Sequence, residues 1–99
     1  MMPNKESQLE SDCLLYVRQK LGRMPKWTSP GNIGVPDRIL FLPNKPPVFI
    51  EFKTPSGKLS AAQTRWLRYL EDNGHEAWII RDKATFVERV ERWLNGAQS

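Results

Sequence analysis

The six residues Val48-Phe49-Ile50-Glu51-Phe52-Lys53 constrain this chain more than any other segment. Their β-branched and aromatic content predicts a strand. Side chains alternate across a strand, so Val48, Ile50 and Phe52 share one face while Phe49, Glu51 and Lys53 share the other. A run this apolar is usually a central strand. An acid and a lysine on such a strand must be paired, hold an ion, or lie at its exposed end. A cross-strand ion pair on a half-exposed strand is the ordinary arrangement and contributes little.

Asp37 sharpens the choice. Arg38–Leu42 (RILFL) predicts a neighbouring strand, and Pro43-Asn44-Lys45-Pro46-Pro47 the turn between the two. A hairpin centred on Asn44 places Asp37 directly opposite Glu51, with Lys53 as its diagonal neighbour. Two carboxylates that close repel unless positive charge lies between them. Lys53 supplies part of that charge. A divalent cation would supply more, since Mg²⁺ is commonly held by one or two carboxylates plus waters and phosphate oxygens. A slip of one residue would put the acids on opposite faces.

Charge is unevenly placed. The net charge is +4, and the first 22 residues and the last 40 are each balanced. The whole excess lies in residues 23–59, where Arg23, Lys26, Arg38, Lys45, Lys53 and Lys58 face only Asp37 and Glu51. A basic segment suits an anionic partner, most simply nucleic acid, although a solubilising surface has the same composition. A single Cys (Cys13) and a single His (His75) exclude an internal disulfide and a Cys/His zinc site within one chain. Cys13 sits on an apolar helical stripe and reads as a buried structural residue, and His75 as an exposed turn residue. No apolar run approaches a membrane span, and the N-terminus (MMPNKESQLE) is polar. A reducing, cytoplasmic setting is expected.

With 99 residues the chain is expected to form a single domain, 1–99. Leu9, Cys13, Tyr16 and Val17 predict a helix over 5–21, stopped at Gly22. Residues 22–36 read as loop with a short strand near Lys26–Thr28. A helix over 60–72 is closed by Asn73-Gly74, and Glu76–Ile80 (EAWII) is a strand. Asp82 caps a last helix through Leu94. The order is αβββαβα, an α/β (α+β) fold with a small mixed sheet flanked by helices. Trp66 and Trp93 read as core, and Tyr69 as core or interface. Glu10 lies on the core-facing stripe of the first helix. It is either the far end of a capping box begun at Ser7 or a site residue. Gln63 has the same ambiguity with Ser60, where the cap is favoured. Gly57-Lys58 resembles the end of a P-loop, but Leu59 and Phe52 stand where that motif needs Ser/Thr and Gly.

Pro36-Asp37 followed by Glu51-Phe52-Lys53 resembles the PD-(D/E)xK nuclease superfamily. The stretch Gly34-Val35-Pro36-Asp37-Arg38, the helix bearing Glu10 and the later Gln63 narrow the likeness to the VRR-NUC family, the virus-type replication-repair nucleases. It spans the chain from Glu6 to about Leu94 and is nearest to the small stand-alone phage and bacterial members. The resemblance implies a restriction-endonuclease-like core and a Mg²⁺- or Mn²⁺-dependent endonuclease. Asp37, Glu51 and the Phe52 carbonyl would match the metal ligands and Lys53 the catalytic lysine. Glu10 and Gln63 would match the family's acid and glutamine on the flanking helices. It further implies a homodimer that resolves four-way (Holliday) DNA junctions. A flap- or duplex-nicking nuclease and a non-catalytic DNA-binding module are the alternatives. Glu10 is also expected to hold a metal water or a second ion, and Arg23, Lys26, Arg38 and Lys58 to contact DNA phosphates.

Overall fold

The computed structural model describes residues 5–96. Three helices and three strands follow in the order α1 (Lys5–Gln19), β1 (Arg38–Leu40), β2 (Val48–Phe52), α2 (Ala61–Asp72), β3 (Glu76–Ile80) and α3 (Lys83–Leu94). The sheet order is β1-β2-β3. β1 pairs antiparallel with β2, Arg38 opposite Ile50 and Leu40 opposite Val48. This is the register of a hairpin centred on Asn44, which takes φ 62° at the turn. β2 pairs in parallel with β3, Glu51 opposite Ile79 and Phe52 opposite Ile80. Parallel neighbours need a long crossover, and α2 provides it.

The strand expected near Lys26–Thr28 is reduced to two isolated bridges, Arg23 with Phe41 and Lys26 with Arg38. Pro25 explains the break. Its carbonyl accepts from the Ile39 N–H at 3.0 Å, but it has no N–H to return. Beyond the second bridge the Trp27 N–H reaches the Asp37 carbonyl at 3.0 Å.

One face of the sheet is the core. Val48, Ile50, Phe52, Trp78 and Ile80 pack there with Cys13 and Val17 of α1 and with Phe86, Val90 and Trp93 of α3. Burying each large apolar side chain contributes about 1.5–3 kcal/mol. Burial also pushes the Cys13 thiol up to about 12, so it is inert. α2 covers the opposite face through Leu67 and Leu70. Trp66 is only half-buried, unlike the buried core residue expected, because its indole packs on Trp27 and Tyr69 at the rim of α2.

Helix ends follow local rules with one exchange of roles. α2 closes on Gly74 at φ 82°, with the His75 N–H bonded to the Leu70 carbonyl. α1 closes in the same pattern, but Leu21 takes the left-handed position at φ 62°. The Gly22 N–H then reaches the Val17 carbonyl at 2.9 Å. Gly22 is needed for space instead, since a Cβ there would lie 2.7 Å from the Phe41 carbonyl oxygen. α1 already includes Lys5 and Glu6, so Ser7 lies inside the helix and not at the N-cap of the expected Ser7–Glu10 capping box. The Glu10 carboxylate is bonded to Arg38 instead.

Candidate active site

The strand alternation that buries Ile50 and Phe52 also buries Glu51, on the other face. Glu51 is 1% exposed and is the buried charged residue among those described. Its Oε2 accepts a hydrogen bond from the Gln63 side-chain amide at 3.1 Å. Its Oε1 is buried with no hydrogen-bond partner. Gln63 also completes the cap of α2, its Oε1 accepting from the Ser60 N–H at 2.8 Å. The cap and the site are therefore one arrangement, not alternatives: capping fixes the amide that orients the carboxylate.

Asp37 lies one residue before β1, and the observed register carries it opposite Glu51. Its Oδ2 accepts from the Phe52 backbone N–H at 2.8 Å. The approach to Asp37 is braced. Gly34 adopts φ 88°, and a Cβ there would fall 2.5 Å from the Ala62 carbonyl carbon. Only glycine allows the loop to lie this close to the first turn of α2. The buried ring of Pro36 then fixes the step into Asp37.

Electrostatics mark the pair. Burial raises both carboxyls, and the repulsion between them raises Glu51 further, to about 8. Glu10 adds to the rise at Asp37 and Glu6 to that at Glu51. The Phe52 N–H and Lys53 oppose it at Asp37, and Lys53 opposes it at Glu51. Without a bound cation the pair therefore resists carrying two negative charges at neutral pH. No Lys or Arg among the described residues closes an ion pair with either carboxylate. The common structural ion pair is therefore not what holds this site together.

The other expected residues are distributed as follows. Lys53 follows β2, half-buried, with its N–H on the Ile80 carbonyl at 3.0 Å. Glu10 faces the site from α1, and its Oε2 accepts from Arg38 Nε at 2.5 Å. Arg38 also donates to the Met24 carbonyl at 2.7 Å, so its guanidinium is directed inward. Arg23, Lys26 and Lys58 are exposed. Two contributors escaped the sequence reading. Glu6 precedes Glu10 by one helical turn. Arg81, just past β3, donates to the Thr54 and Gly57 carbonyls at 2.8 and 2.6 Å and clamps the loop after Lys53. Only the parallel register, which sets Phe52 beside Ile80, brings Arg81 there.

Two carboxylates, one with an unpartnered buried oxygen, fit a hard divalent cation better than any other group. Among the described residues no three His, Cys, Asp or Glu side chains form a ready-made ligand set. Such an ion would therefore need backbone, water or substrate oxygens as well. No helix of the described residues is long and apolar enough to cross a membrane.

Known proteins resemble this chain in sequence and in fold. The VRR-NUC domain profile matches residues 6–83. The p44 protein of Acyrthosiphon pisum secondary endosymbiont phage 1, named as an inferred nuclease, is 36% identical over 76 residues. The match covers 77% of this chain and 82% of p44. A solved VRR-NUC domain superposes with a TM-score of 0.85 at 20% identity, over 92% of this chain and 99% of that one. A second solved VRR-NUC domain protein gives 0.76 at 13% identity, over 99% and 94%. Both show the same fold. The chain belongs to the VRR-NUC family of nuclease domains.

Proposed function

We propose that this domain is a divalent-metal-dependent DNA endonuclease that hydrolyses phosphodiester bonds, with Asp37, Glu51 and the Phe52 carbonyl holding Mg²⁺ or Mn²⁺. The observation that carries the reading is Glu51: a buried acid facing a second acid, with Oε1 unpartnered and no cation paired to it. A fold retains so costly a pair only where something positive completes it. When bound, the ion polarises the scissile phosphate and lowers the pKa of a water.

The chain's own residues do the rest. The Phe52 N–H and the Gln63 amide each hold one oxygen of a carboxylate, which leaves the other oxygen for the ion. Lys53 orients the attacking water and offsets charge that develops on the phosphate. Its place at the end of β2 beside both acids suits it to position the water. Glu10, held by Arg38 through Oε2, offers Oε1 to a metal water or a second ion. Exposed Arg23, Lys26 and Lys58 contact backbone phosphates, which gives affinity without base readout. Arg38 acts mainly by holding Glu10.

The substrate we propose is branched DNA, most simply a four-way junction cut by a homodimer, in the cytoplasm of a bacterial or phage-infected cell. A symmetric cut needs two active sites, and a two-fold pair supplies them. The test is cleavage of labelled junction, flap, duplex and single-stranded DNA in Mg²⁺, Mn²⁺ or EDTA. Symmetric, metal-dependent junction cuts, lost in Lys53→Ala and Asp37→Asn, are expected. Preference for flaps or duplex would keep the chemistry and discard the junction. Absence of cleavage, with binding indifferent to EDTA, would leave a DNA-binding fold.

A further inference from the structure

A groove with no role in the chemistry above runs along the outer edge of α2. It encloses about 310 Å³ and is lined by Ile33, Ala62, Arg65, Trp66 and Tyr69. That is the lower end of the range of small-ligand sites, roughly 300–1,000 Å³, and suits a group of nucleoside size. Ile33 is 85% exposed and Tyr69 58% exposed, the first on the loop and the second on the helix that form the two walls. Large apolar side chains held this far out on one concave surface mark an interaction site.

The walls are braced. Asn32 bonds Ser29 through both its backbone and its side chain, at 3.0 and 2.9 Å. Gly34 seats the loop on Ala62. Behind the groove the rings form a continuous row. Phe49 packs on Trp27, Trp27 edge-on to Trp66, and Trp66 edge-on to Tyr69, with centroids 5.4, 5.6 and 6.0 Å apart.

Both walls also lead directly to the acid pair. Ile33 is four residues before Asp37, and the Trp27 N–H is bonded to the Asp37 carbonyl. Trp66 lies one helical turn beyond Gln63, which holds Glu51. The polar contribution is cationic: Arg65 lines the groove, and the first turn of α2 carries no acid.

We propose that this groove receives an unpaired nucleobase of the DNA substrate, stacked against Tyr69 and Trp66 and flanked by Ile33, with Arg65 on its phosphate. The proposal rests on the nuclease reading and adds the substrate feature that the site would select. An aromatic row with an arginine at its rim is the chemistry of sequence-tolerant base stacking.

The test is fluorescence anisotropy in EDTA, comparing a fully paired duplex with the same duplex carrying one unpaired nucleotide. Tyr69 and Ile33 are exposed, so Tyr69→Ala and Ile33→Ser should fold. The wild-type chain should prefer the unpaired nucleotide. Tyr69→Ala should lose about tenfold or more of that preference, with duplex affinity unchanged and Tyr69→Phe retaining it. Equal loss on both DNAs, or no preference in the wild type, overturns the proposal. So does sedimentation showing that Tyr69→Ala splits a dimer, which would make the groove a copy–copy interface. Cleavage in Mn²⁺, measured alongside, separates the two readings. Preference without cleavage sustains the groove and removes the nuclease, and cleavage without preference does the reverse.

Discussion

Replacing Glu51 by Gln should abolish cleavage and yet stabilise the metal-free protein above neutral pH. In the folded chain the Glu51 carboxyl is raised from 4.5 to about 8, by burial first and by Asp37 second. A raised acid binds its proton more tightly folded than unfolded. Stability is therefore complete below about pH 4.5, falls as pH rises towards 8, and is flat beyond. At about 1.4 kcal/mol per pH unit, the loss by pH 7 is roughly 3 kcal/mol. Asp37 is raised as well and adds in the same direction.

The amide introduced by Glu51→Gln keeps the volume, accepts from Gln63 and donates to Asp37, and it has no proton to lose. Urea denaturation in EDTA at pH 5 and pH 8 checks this. The wild-type chain should lose stability across that interval and Glu51→Gln should lose much less. At pH 8 the variant should melt higher by on the order of 10 °C. Adding Mn²⁺ should stabilise the wild type and not the variant. A variant that is less stable than wild type at pH 8, or that shows the same pH dependence, would refute the cost assigned to ionising Glu51.

Other substitutions test the supports. Lys53→Ala should reduce the cleavage rate by about 10²-fold or more while leaving urea stability within about 1 kcal/mol, as expected for a half-buried side chain acting on the phosphate. Gly34→Ala should destabilise by about 2–4 kcal/mol, because it combines φ 88° with a 2.5 Å approach to Ala62; thermal melting reads it, and cleavage should fall further than stability because Asp37 moves. Leu21→Gly should stabilise by about 1 kcal/mol, since Leu21 is exposed and left-handed at φ 62°. Gly22→Ala, one residue on, should destabilise because its Cβ meets the Phe41 carbonyl. Equal signs for that adjacent pair would contradict the assignment of their roles.

Much of this protein is determined by the sequence alone. Period-two alternation over Val48–Lys53 and the Pro-Asn-Lys-Pro-Pro turn specify the hairpin, and with it the opposition of Asp37 and Glu51. Apolar spacing and Gly or Asn stops specify the three helices. These are local properties, carried by residues a few positions apart. Tertiary structure decided what depends on distant segments meeting. Pro25 reduced an expected strand to two bridges, because a ladder needs donors that only its partner β1 reveals as missing. Glu10 bonds Arg38 and not a cap, and Arg38 also holds the Met24 carbonyl, because the fold brings three segments distant in sequence within side-chain reach. Gln63 serves both cap and carboxylate, because α2 crosses the face that Glu51 occupies. Arg81 reached the loop after Lys53 only through the parallel pairing of β2 with β3. Sequence spacing places side chains on a face, but which face meets which is decided when the sheet and its helices pack.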